Sequence, residues 1–271
     1  MMFSIMALVP VLSVATLIES ATNSIARRIA RSDPALGLCR FVGYPDGASS
    51  DRFDLNPDFW LKGVDFSCVS PWNSAGGSVR AGTAISKRHV VFAKHFPLWN
   101  GVRIVFVGED GGVCPSQIEA VKAVGKTDIM IGSLKYELTP NIKPAKILPM
   151  DFDRHIGRGV DMPVVTFTQN ENAIPTQLGI MPTNGAPWKY CFSHSSKDPK
   201  WAPFRKKIVG GDSGNPAFLL IGNEPILLYC LQNGGCGSGP ALHMYGQEMQ
   251  QVMDELCPGY KLETFDFEKV R

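Results

Sequence analysis

Gly210-Gly211-Asp212-Ser213-Gly214-Asn215-Pro216 packs one serine between glycines and ends on a proline. Glycines on both sides permit a sharp turn that exposes the hydroxyl and aims nearby amide N–H groups at one point. An acyl-transfer nucleophile needs both of these: access to a carbonyl carbon, and donors where the carbonyl oxygen becomes negative. A Gly-Asp-Ser-Gly word arises by chance in about one of 200 chains this long. The plain alternative, a flexible surface loop, therefore loses ground only if the rest of the chain supplies partners for the serine.

A serine hydroxyl is almost wholly protonated at neutral pH and needs a base, and the base needs an orienting group. The chain has five histidines: His89, His95, His155, His194 and His243. Gly82-Thr83-Ala84-Ile85-Ser86 reads as a short strand, Lys87-Arg88 as a turn and His89-Val90-Val91-Phe92-Ala93 as a second strand. Pro97 keeps that strand from continuing. His95 thus falls at the end of an apolar strand, where a ring can be held rigidly and still face a cleft. His89 and His155 read as core histidines.

The carboxylate comes from Lys126-Thr127-Asp128-Ile129-Met130-Ile131-Gly132-Ser133-Leu134, a polar opening followed by an apolar strand with Asp128 at its mouth. A turn aspartate is the ordinary use of such a residue, and Asp110, Asp151, Asp153 and Asp161 fit that use better, in connections rich in Gly, Pro or charge.

The order His95, Asp128, Ser213 resembles that of the trypsin/chymotrypsin-type serine proteases. Three segments carry the likeness: the strand pair ending in Phe92-Ala93-Lys94-His95, the run Asp128-Ile129-Met130-Ile131-Gly132-Ser133-Leu134, and Gly211-Asp212-Ser213-Gly214-Asn215-Pro216. A weaker fourth is Gly237-Ser238-Gly239-Pro240-Ala241-Leu242 followed by a helix-like stretch from Gly246 to Leu256. The resemblance covers residues 62–257. It implies that His95 is the general base, that Asp128 orients it and that Ser213 is the nucleophile. The backbone N–H groups of Gly211 and Ser213 would form the oxyanion hole. It further implies a serine endopeptidase acting on protein or peptide substrates without cofactor or metal. The reading from another class is an idle protease scaffold that only binds.

Departures from the family pattern bear on specificity and activation. Phe96 and Val209 stand where the family usually has cysteines, and Asn215 replaces a glycine. Lys207, six residues before Ser213, falls where the family places the base of its primary pocket. There it would favour an acidic substrate side chain, although Arg205, Lys206 and Lys207 read equally as a solvated basic loop. No activation cleavage site precedes the domain, and no amino terminus is evident to pair with Asp212 as in the family's zymogens.

Composition sets the frame. The 271 residues hold a substantial core. Charged residues at 19%, with 27 glycines and 20 prolines, suit many short strands punctuated by turns. A net charge of +2 offers no reason to expect nucleic acid. The cysteines and histidines form no metal-ligand spacing. Phe3 to Ile18 is an apolar stretch of signal-peptide length, though arginines follow it instead of preceding it. Seven cysteines suggest up to three disulfides and a secreted or extracytoplasmic protein, with membrane contact only if the leader stays as an anchor.

The expected fold is all-β: two six-stranded antiparallel β-barrels, chymotrypsin-like, with a C-terminal helix. The expected divisions are a signal or anchor over 1–21, a lead-in over 22–60, barrels over about 61–150 and 151–257, and a tail over 258–271.

Overall fold

The computed structural model describes residues 14–38, 41–42, 53–72, 74–75, 80–152, 162–179 and 190–269. The expectations for residues 1–13, Cys39, Asp153, His155 and Asp161 lie outside them.

The chain is mostly β. After helices α1 (Val14–Ala30) and α2 (Pro34–Gly37) come a two-stranded ribbon of β1 (Phe41–Val42) and β2 (Asp54–Leu55), then two larger curled sheets. The first sheet uses β3 (Thr83–Ala84), β4 (His89–Ala93), β5 (Arg103–Val107), β6 (Val113–Ala123) and β7 (Ile129–Leu134), in the order β3-β4-β7-β6-β5. All its pairings are antiparallel.

The second sheet contains β8 (Lys146–Ile147), β9 (Met162–Phe167), β10 (Ala173–Gly179), β11 (Tyr190–His194), β12 (Pro216–Ile221), β13 (Glu224–Cys230) and β14 (Ser238–Pro240). Its order is β14-β11-β10-β9-β12-β13-β8. Helix α3 (Gly246–Leu256) follows, with the limits its sequence suggested.

The expected six-and-six division needs correction. Among the described residues the sheets have five and seven strands, and neither strand order closes on itself. The cause is β8. Lys146 and Ile147 pair in parallel with Ile226 and Leu227 of β13, so a strand assigned to the first barrel belongs to the second sheet. The second sheet is consequently mixed, not antiparallel. The last residues join it as well. Ile147 N–H donates to the Glu263 carbonyl at 3.0 Å, Phe265 N–H donates to the Ile147 carbonyl at 2.8 Å, and Phe265 is buried.

Strands β9 and β12 are buried along their whole length, as strands covered on both faces must be. One cover is α1, which contacts both of them. Leu17, Ile18, Ala21, Ile25 and Ile29 recur at helical spacing and are all buried. This helix crosses the expected boundary at residue 21 and occupies part of the expected lead-in. Between the sheets, Phe66 meets Phe167 at 4.9 Å and Phe218 at 5.5 Å between ring centroids. No helix among the described residues is long and apolar enough to cross a membrane.

The six described cysteines, Cys68, Cys114, Cys191, Cys230, Cys236 and Cys257, are free thiols. The disulfides expected from the cysteine count do not occur among them. Four are buried and behave as small apolar residues. Burial pushes the Cys230 thiol up to about 12 and the Cys191 thiol further, so both stay protonated. The count therefore carries no argument for an oxidising compartment.

Candidate active site

Register brings the first two residues together. Ala93 of β4 lies opposite Ile129 of β7, and the ladder runs one step further, with Lys94 N–H donating to the Asp128 carbonyl at 2.9 Å. His95 emerges just past this pair. Its own N–H donates to Asp128 Oδ1 at 2.8 Å, and its ring Nδ1 lies 2.5 Å from Asp128 Oδ2. The Gln232 side-chain amide donates to the Asp128 carbonyl at 3.3 Å. The strand ends chosen from sequence therefore meet because their strands are neighbours in the sheet, 33 residues apart in the chain.

Ser213 reaches the same point from the second sheet. Its Oγ lies 2.8 Å from His95 Nε2, across a chain separation of 118 residues. With Nδ1–H donating to the carboxylate, Nε2 is left as the acceptor of the serine hydroxyl proton. The His95 side chain is 45% exposed and that of Asp128 28%, so the relay is open to an incoming molecule.

The turn around Ser213 is built as the glycines require. Gly211 has φ +98° and Gly214 φ +86°, a region in which side chains are strained. Gly214 N–H donates to the Leu231 carbonyl at 2.9 Å, and Leu231 N–H returns a bond to the Asn215 carbonyl at 2.8 Å. These bonds fix the serine against the segment that follows β13. Asn215 is fully buried and its side-chain amide donates to the Asp212 carbonyl at 3.0 Å. Among the described residues, the N–H groups of Gly211 and Ser213 donate to no protein acceptor.

Asp212 is 1% exposed. Oδ1 accepts the Gln169 N–H and Oδ2 the Val209 N–H, both at 2.7 Å. Burial pushes its carboxyl pKa upward, against the pull of these two bonds.

No protein-family model matches the chain, and a search among curated proteins finds no match. The site stands on its geometry.

A pocket of about 370 Å³ opens beside Ser213, between 207–210 and 231–235. Its two walls are joined by Ile208 N–H donating to the Gly235 carbonyl at 3.0 Å. Lys207 is in the wall and, among the described residues, is the one charged residue lining it. A second recess of about 450 Å³, lined in part by Asp128, shares Gln232 with the first.

The remaining candidates fall elsewhere. His89 is fully buried, with Nδ1 accepting from Ser86 Oγ at 2.8 Å and Nε2 donating to the Met253 carbonyl at 3.1 Å. It is a core histidine, as its strand position suggested. Asp110 caps a turn, accepting the Gly112 N–H at 2.9 Å. Phe96, where the family has a cysteine, lies under the Arg80 guanidinium at 4.4 Å.

Sequence reading missed Gln169, Glu171 and Trp72. Trp72 Nε1–H donates to the Gly211 carbonyl at 3.0 Å, and Trp72 N–H donates to the Glu171 carboxylate. Gln169 acts through its main-chain N–H, and Trp72 and Glu171 through side chains aimed at main-chain groups of other segments, so no local motif betrays them.

Proposed function

We propose that this chain is a serine endopeptidase of the trypsin/chymotrypsin type, with its cleft between the two sheets. The observation that carries the reading is the continuous series Asp128 Oδ2, His95 Nδ1, His95 Nε2 and Ser213 Oγ, at 2.5 and 2.8 Å, beside a side-chain-sized pocket. A carboxylate, an imidazole and a hydroxyl in series are what a serine needs to act as a nucleophile.

In this mechanism Ser213 Oγ attacks the carbonyl carbon of the scissile bond while its proton passes to His95 Nε2. Asp128 holds the ring in the accepting tautomer and stabilises the imidazolium that forms. The carbonyl oxygen, now negative, takes the N–H groups of Gly211 and Ser213. Losing one such donor typically costs ~10²–10³ in rate. His95 then returns the proton to the departing amine, leaving an acyl-enzyme on Ser213. Water, deprotonated by the same ring, releases the acid and restores the hydroxyl. No step needs a metal, a cofactor or a disulfide.

Lys207 in the pocket wall supports a preference for Glu or Asp as the residue whose carbonyl is attacked. The direct test of the whole reading is labelling of the purified protein with a fluorophosphonate probe, with Ser213→Ala as control. Labelling confined to Ser213 is the expected result. A folded protein that never labels would favour the idle binding scaffold.

A further inference from the structure

Asp212 adjoins Ser213 and is too deeply buried to remain unpaired without cost. Its two oxygens take main-chain N–H groups from Gln169 and Val209. The Gln169 donor belongs to an unusual turn. Asn170 and Glu171, neither of them glycine, have φ +64° and +60°. Such strain persists where the surroundings over-determine it, often at functional sites.

This turn serves both ends of the nucleophile loop. It aims the Gln169 N–H at Asp212, and it carries the buried Glu171 carboxylate to the Trp72 N–H. Trp72, anchored there, holds the Gly211 carbonyl through its indole N–H at 3.0 Å. The Gly211 and Ser213 N–H groups flank these two restraints along the chain and donate to no protein acceptor among the described residues.

We propose that uncleaved main chain sets the Ser213 loop in its working conformation, through Gln169 and Val209 on Asp212 and through the Glu171–Trp72 clamp on Gly211. The proposal rests on the serine endopeptidase reading and adds that the site needs no newly freed amino terminus. Trp72 and Glu171 are then positioning residues, acting on the oxyanion donors through Gly211.

The test uses the full chain, with its intact mass measured before and after reaction with the fluorophosphonate. Labelling of Ser213 in uncleaved protein is expected. Trp72→Phe keeps an aromatic ring and removes the indole donor. It should lower the maximal inactivation rate by about ten-fold or more, and change the half-saturating probe concentration less than about three-fold. Glu171→Gln, which keeps an acceptor for the Trp72 N–H, should retain most of the rate that Glu171→Ala loses. A folded Trp72→Phe that labels at the wild-type rate would overturn the clamp. Labelling only after cleavage would overturn the inference and leave the endopeptidase reading standing. Absence of labelling in both forms would remove that reading and this inference with it.

Discussion

Asp128 binds His95 twice: one carboxylate oxygen takes the backbone N–H at 2.8 Å and the other meets ring Nδ1 at 2.5 Å. The first bond fixes where the histidine leaves the sheet and the second fixes how its ring is turned. Asp128→Asn can keep the first by presenting its amide oxygen to the backbone, but then its NH₂ faces Nδ1 and favours the tautomer protonated at Nε2. The expected result is a fall of roughly 10⁴ in kcat with fold and thermal midpoint little changed. A fall of only a few-fold in ester hydrolysis would point to a different role for Asp128.

Ser213→Ala should abolish turnover and fluorophosphonate labelling together. The side chain is partly exposed and bonds to an exposed histidine, so unfolding should shift by less than about 1 kcal/mol. Circular dichroism and a urea titration would separate lost chemistry from lost fold. Residual wild-type hydrolysis would rule Ser213 out as the nucleophile.

Lys207 should set charge preference without touching the chemistry. On matched peptide esters, wild type is expected to prefer Glu over Gln at the attacked residue by about ten-fold, a modest factor because the lysine is exposed to solvent. Lys207→Gln should erase the preference and Lys207→Glu should invert it toward Lys. An unchanged ratio in both variants would make the 205–207 run a solvated basic loop.

His89 should make the fold sensitive to acid. Burial lowers its pKa from 6.5 to about 4, with the Met253 carbonyl pulling the other way. Above pH 6.5 the ring is neutral in folded and unfolded chain alike, and it adds no pH dependence. As pH falls from 6.5 toward 4 the unfolded chain takes up a proton that the folded one refuses, so stability declines, by at most about 3 kcal/mol. His89→Gln should be less stable at pH 7 but should flatten the slope between pH 6.5 and 4. Equal slopes in urea titrations of the two proteins would show that other groups govern acid unfolding.

What could be read in advance was local. His95 and Asp128 stand at strand ends that the apolar runs 89–93 and 129–134 mark out, and those strands form as written. Helix α3 follows from helical spacing, with Met249, Val252 and Met253 turned inward. Less legible was everything set by pairing between distant segments. Lys146 and Ile147 are too short a run to declare which sheet they join, and only β13 decides it. The buried residues of α1 recur at helical spacing, but that pattern does not say which strands they cover, and only packing puts them on β9 and β12. Cysteine number likewise says nothing about whether two thiols meet.

By itself, then, the sequence determined the chemical groups and the turns that expose them: Ser213 between glycines, His95 and Asp128 at strand mouths, Lys207 six residues ahead of the serine. Side-chain type and nearest neighbours are enough for that. Tertiary packing settled that the Asp212 carboxylate takes the Gln169 N–H, that Trp72 holds the Gly211 carbonyl, and that β8 joins β13 in the second sheet. The physical reason is that every residue but proline has the same main-chain donor and acceptor. Which N–H meets which oxygen across a hundred residues is written in how the elements pack, and no residue identity announces it.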